Sequence, residues 1–88
     1  MKINTNPDTI SISTVVVERM RELLDKKNMT VSQLSIQSGV TQSTVNDVYN
    51  YKYKNIGIIT IKRLCDGLEI NITEFFDTSN FKNLKQEP

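Results

Sequence analysis

Apolar positions recur along this chain at helical spacing, and short polar residues that cap helices separate the runs. Val16, Val17, Met20, Leu23 and Leu24 fall on one face of a first helix. Ser13 or Thr14 is placed to cap it, and Asn28 to stop it. Glu18, Arg19, Arg21, Glu22, Asp25, Lys26 and Lys27 form its wet face. Thr30 and Gln33 then have capping-box spacing, with Val31 and Leu34 starting a second apolar stripe. Gly39 ends that helix, because the residue after a helix often needs a positive φ. Thr41 offers an N-cap hydroxyl to a third helix, whose Val45 and Val48 face inward together. The stretch Ile56 to Ile61 is dense in β-branched residues and, taken alone, also reads as a strand. No second strand of similar length exists to pair with it. Ile61, Leu64, Cys65 and Leu68 keep helical spacing, so a fourth helix is predicted from about Ile58 to Leu68. Thr73 caps a short fifth helix whose Phe75 and Phe76 close the core. The pattern predicts an all-α fold with five helices.

The ends are polar. Residues 1–13 read as an irregular arm, with Asn6-Pro7-Asp8 as a turn and Ile3, Ile10 and Ile12 as its apolar anchors. Residues 14–77 form the domain, and residues 78–88 a tail in which Phe81 and Leu84 can dock on the domain or on a partner. Ser35 and Gly67 are small where neighbouring helices must come close. Ile36 points away from the Leu34 stripe and suits an exposed or partner-facing position.

Composition narrows the function. The chain has 88 residues, enough for one small core. It lacks a membrane-length apolar run and the layout of a secretory signal, so a cytoplasmic protein is expected. One cysteine and no histidine leave little for a disulfide, a zinc site or an activated nucleophile. Cys65 falls on the buried stripe and reads as a small hydrophobe. The carboxylates are isolated, which argues against acid–base catalysis. No cofactor, metal or small-molecule ligand is implied. Net charge is only +1, yet it is segregated. Residues 51–63 carry Lys52, Lys54, Lys62 and Arg63 with no acid, while residues 64–80 carry Asp66, Glu69, Glu74 and Asp77 with no base. Such an uneven field can steer a polyanion despite a small total.

The outward positions of the third helix are Gln42, Ser43, Asn46 and Asp47, all short hydrogen-bonding side chains. Two short helices joined by a tight turn, the second polar on its outer face, have the layout of a helix-turn-helix. Directly after it, Tyr51-Lys52-Tyr53-Lys54 alternates aromatic and basic residues, as suits a phosphate-lined surface.

These residues resemble the Cro/C1-type (XRE) helix-turn-helix family. The matching segments are Met29-Thr30-x-x-x-Leu34-Ser35, Ser38-Gly39-Val40-Thr41-Gln42-Ser43-Thr44-Val45, Asn50-x-Lys52, Thr60 through Leu68, and Ile72-Thr73-Glu74-Phe75-Phe76. The resemblance spans Val16 to Phe76 without a gap. It implies a five-helix, lambda-repressor-like bundle that binds double-stranded DNA as a homodimer, with the third helix in the major groove. It assigns base reading to Gln42, Ser43, Asn46 and Asp47. Gln42 and Asn46 have the chemistry to grip adenine, and Asp47 either accepts from cytosine or pairs with a nearby lysine. The resemblance makes Thr30, Ser32, Gln33, Thr44 and Lys52 phosphate candidates, and the aromatic–basic alternation after the third helix adds Lys54 beside Lys52. The chain departs from the family pattern in three places. Tyr51 and Glu69 stand where glycine is common, and each costs about 1 kcal/mol if its φ is positive. Val31 stands where an amide often contacts phosphate. The third helix also lacks arginine and lysine, so guanine readout there is weak. The expected function is sequence-specific transcriptional regulation, most simply repression. The alternative is a protein-interaction module of the same fold, such as an antitoxin or an anti-repressor partner, with weak DNA binding.

Overall fold

The structure, a computed structural model, describes residues 11–86. Most of the expected N-terminal arm, including Ile3, the Asn6-Pro7-Asp8 turn and Ile10, lies outside the described residues, as does Pro88. The described residues fold into six helices and no strand: α1 (Ile12–Lys26), α2 (Val31–Ser38), α3 (Gln42–Tyr49), α4 (Ile58–Gly67), α5 (Ile72–Phe76) and α6 (Ser79–Lys82). The expected all-α bundle is present, with one more helix than the five anticipated. The α4 segment is helical and not a strand, as its later residues implied.

Two caps differ from expectation. Ser11, not Ser13 or Thr14, caps α1, with its hydroxyl accepting from the Thr14 backbone N–H at 3.3 Å. Ile12 and Ser13, expected in the arm, therefore belong to the helix. Asn71, not Thr73, caps α5 and accepts from the Glu74 N–H at 2.7 Å. Asparagine is among the strongest N-cap residues, so it takes the position over the threonine two places on.

Helix C-termini follow one device three times. Asn28, Tyr51 and Glu69 have φ of 52°, 61° and 59°. Each follows a helix whose final carbonyls are taken up in a Schellman pattern. After α1, Asn28 N donates to Asp25 O and Met29 N to Leu24 O. After α3, Tyr51 N donates to Val48 O and Lys52 N to Asp47 O; after α4, Glu69 N donates to Asp66 O and Ile70 N to Cys65 O. The backbone at Tyr51 and Glu69 thus keeps the conformation glycine favours, and each side chain there costs about 1 kcal/mol. After α2 the left-handed position is filled by a glycine, Gly39, at φ 71°.

The core draws on every helix except the last. Met20, Leu34, Val45, Cys65, Leu68 and Phe75 are fully buried, with Val17, Val48 and Leu64 beside them. Burial pushes the Cys65 thiol pKa up, with the nearby Asp66 charge adding to it, so the group stays a protonated small hydrophobe. Phe81 of α6 packs on the domain. Its ring lies 4.8 Å from that of Phe76 and 6.1 Å from that of Phe75. The apolar residues of the α4 start are not all buried, since Ile58 and Ile59 are exposed. Their β-branched density marks the start of a helix whose buried stripe begins only at Ile61.

Gly67 lies where α4 meets α2. A Cβ added there would sit 2.8 Å from Ser38 Cβ and 2.9 Å from Ser38 N. One of these neighbours is backbone and cannot swing aside. Gly67→Ala is expected to lower the urea midpoint. Overpacking costs about 1–3 kcal/mol, more than the up to about 1 kcal/mol that alanine gains in helix propensity. A raised midpoint would mean that α2 moves aside freely.

Candidate nucleic-acid interface

The α2–turn–α3 unit is built from local hydrogen bonds. At its start, the Thr30 hydroxyl accepts from the Gln33 N–H at 3.1 Å, and Gln33 Oε1 accepts from the Thr30 N–H at 2.8 Å. This is the expected capping box. It uses only acceptor atoms, so the Thr30 O–H and the Gln33 NH2 group stay available to donate outward. The turn is tied from inside. Ser35 donates to Val40 O at 2.6 Å, and Ser38 Oγ accepts from Val40 N at 3.2 Å. Ser35 is therefore small and also a polar brace, a role its size alone did not announce. Thr41 then caps α3, accepting from Thr44 N at 3.2 Å and donating to Thr44 Oγ1 at 2.9 Å. The Thr44 proton is free to point away.

Val45 and Val48 anchor α3 in the core at 0% and 1% exposure. Helical periodicity then turns the other side outward. Gln42, Ser43 and Asn46 are exposed, and Asp47 is half-buried. Asp47 Oδ1 lies 3.9 Å from Lys52 Nζ, the lysine partner anticipated for it. Both groups are partly solvated, so the pair contributes at most about 1 kcal/mol. Ser32, Gln33 and Thr30 are exposed at the start of α2, and Lys52 and Lys54 in the loop after α3. Thr44 is half-buried and lines a shallow recess with Tyr53, Asn55 and Gly57. Gly57 begins α4 without a side-chain cap, leaving the first N–H groups of that helix unclaimed by any side chain. No serine, threonine or aspartate precedes α4, which was the available sequence sign of this.

Within the basic block, Lys62 is ion-paired to Asp66, four residues on in α4. No ion pair involves Lys54 or Arg63 among the described residues. The predicted wet face of α1 is not uniformly wet. The Arg19 side chain is only 10% exposed, and it donates to Phe75 O at 2.8 Å and Glu74 O at 2.9 Å while pairing with Glu22. Arg21 donates to Tyr49 O at 3.2 Å. Both arginines join α1 to helix ends far away in sequence. Their spacing with acidic neighbours on α1 gave no hint of it.

No three histidine, cysteine or acidic side chains cluster as a metal site among the described residues, and no described helix is long and apolar enough to cross a membrane. Comparison with known proteins adds the relationship. No curated protein sequence matches the chain. A crystal structure of the prophage Lp1 protein 11 is 30% identical, covering 84% of this chain and 97% of that one, with a TM-score of 0.72. The wild-type restriction-modification controller protein C.Esp1396I is 20% identical over 74% of this chain and 83% of that one, with a TM-score of 0.69. A point mutant of the same controller is 19% identical over 90% and 99%, with a TM-score of 0.76. At those identities the controller shares the fold. Residues 19–80 match the Cro/C1-type HTH DNA-binding domain, which is more than half of the chain. The chain belongs to the family of Cro/C1-type helix-turn-helix DNA-binding domains.

Proposed function

We propose that this protein is a sequence-specific transcriptional regulator, most simply a repressor, that binds double-stranded DNA as a homodimer in the cytoplasm with α3 in the major groove. One observation carries the reading: α3 buries its valines completely and presents an outer face made only of short polar side chains. A helix of that kind can enter a groove and hydrogen-bond base edges without desolvating a large apolar surface. Gln42, Ser43 and Asn46 read bases. Asp47 accepts from a cytosine amine when Lys52 leaves it for a phosphate. Thr30, Ser32, Gln33 and Thr44 donate to the backbone at the helix starts, and Lys52 and Lys54 supply charge from the loop. Occupying an operator is sufficient for repression and needs no catalytic group.

The exposed Ile36, Ile58 and Ile59 favour a second reading, in which the same fold serves as a protein-interaction module, an antitoxin or an anti-repressor partner. Selection from a random pool of duplexes separates the two. The regulator reading predicts enrichment of one motif, arranged as two half-sites about one helical turn apart. A pool that stays unenriched contradicts it.

Lys52→Ala provides a prediction for the loop. Binding to selected and unrelated duplexes should weaken by a similar factor, and the salt slope should fall by about one ion for each contact removed. A change confined to one sequence, measured by fluorescence anisotropy, would show that Lys52 reads a base.

A further inference from the structure

Arg21 lies on α1, outside the proposed DNA-facing set, yet its surroundings lead to that set. Its guanidinium carbon sits 4.2 Å from the centroid of the Tyr49 ring and 5.4 Å from that of Tyr51. Its Nη1 donates to the Tyr49 carbonyl at 3.2 Å. Tyr49 is the last residue of α3. The Schellman bonds after α3 take up the carbonyls of Asp47 and Val48, and the Tyr49 carbonyl is left to Arg21. A cation there also faces the negative end of the helix dipole. Tyr51 is the residue held at φ 61°, where glycine would be unstrained. Its side chain gains what glycine lacks, a second aromatic face for the guanidinium. The next residue, Lys52, donates its backbone N–H to Asp47 O at 2.9 Å, so its position follows from that of Tyr51. Farther on, Tyr51, Tyr53 and Lys54 line a groove with Ser11 to Thr14 at the start of α1.

We infer that Arg21 is a positioning residue for DNA binding: by holding the Tyr49 carbonyl and the faces of Tyr49 and Tyr51, it sets the end of α3 and aims Lys52 at the DNA backbone. The inference rests on the proposed DNA-binding function and adds a residue that acts through another. Arg21 acts through a planar fork and a planar stack, so lysine is not an equivalent replacement.

The test is a double-mutant cycle on DNA affinity, measured with the full chain and a selected duplex. In the parent protein, Lys52→Ala is expected to weaken binding about fivefold or more, and in the Arg21→Ala background by less than about twofold. A residue that merely stabilised the fold, or touched a phosphate itself, would leave the two effects multiplicative. Arg21→Lys keeps the charge and is expected to behave as Arg21→Ala does. Tyr51→Gly relieves the positive-φ strain, so it stays folded if Arg21→Ala does not, and it too is expected to reduce the Lys52 effect. Multiplicative effects in either the Arg21→Ala or the Tyr51→Gly background, or a full fivefold Lys52 effect in the Arg21→Lys background, would overturn the inference while leaving the DNA-binding function standing. A parent protein that binds no duplex would overturn that function and the inference with it.

Discussion

Phe75→Ala is expected to destabilise the protein by about 3–5 kcal/mol, the range for removing a fully buried aromatic ring. The ring is 0% exposed and stands at the junction of three elements. It meets the Phe76 ring edge-on at 5.1 Å and the Phe81 ring at 6.1 Å, so its loss also loosens α6. Neighbouring side chains can refill the space only by moving α5, and Arg19 holds that helix by the carbonyls of Glu74 and Phe75. A domain of this size is stable by about 5–15 kcal/mol, so the variant should sit near the edge of folding. Urea denaturation followed by circular dichroism measures it. A loss below about 1 kcal/mol would mean that the aromatic cluster does not close the core.

What could be read in the sequence was what is local in the chain. The Thr30–Gln33 capping box, the Gly39 turn and the Thr41 cap each depend on residues a few positions apart, and side-chain type at fixed spacing specifies them. The outward set Gln42, Ser43 and Asn46 was legible for the same reason, because Val45 and Val48 fix which way α3 faces. The caps that form, Ser11 and Asn71, lie two or three residues before other hydroxyls with cap chemistry; at α5 the stronger N-cap type wins, whereas at α1 spacing alone does not choose among neighbouring hydroxyls. Arg19 and Arg21 were read as solvent-facing because their partners are far along the chain: Glu74 and Phe75 for one, Tyr49 and Tyr51 for the other. Ile58 and Ile59 are the converse case, apolar residues that end up exposed. Apolar density signals burial on average, but these two residues precede the buried stripe of α4 and face outward.

Gln42→Ala is expected to produce the second large effect, on affinity and not on stability. Gln42 is the first residue of α3 and is exposed. The first turn of a recognition helix is the part that reaches base edges. A glutamine amide can bond adenine N6 and N7 together, and losing such a pair costs about 1–3 kcal/mol of discrimination at one base pair. The melting temperature should barely move, because the side chain supports nothing in the core and Thr41 provides the cap. Binding to a panel of duplexes with each base pair of the motif varied in turn should show preference lost at one position and kept at the others. Equal weakening for every duplex would place Gln42 on a phosphate instead.

Because α3 carries no positive charge and its Asp47 is negative, the attraction that brings this polar helix to DNA is expected to come from the basic loop beside it. Affinity for the selected duplex, measured across a series of salt concentrations, decides whether it does. Log affinity is expected to fall in a straight line with log salt, by about 0.9 for each phosphate neutralised, with the selected duplex preferred throughout. Affinity that is undetectable for every duplex, or indifferent to salt, would contradict it.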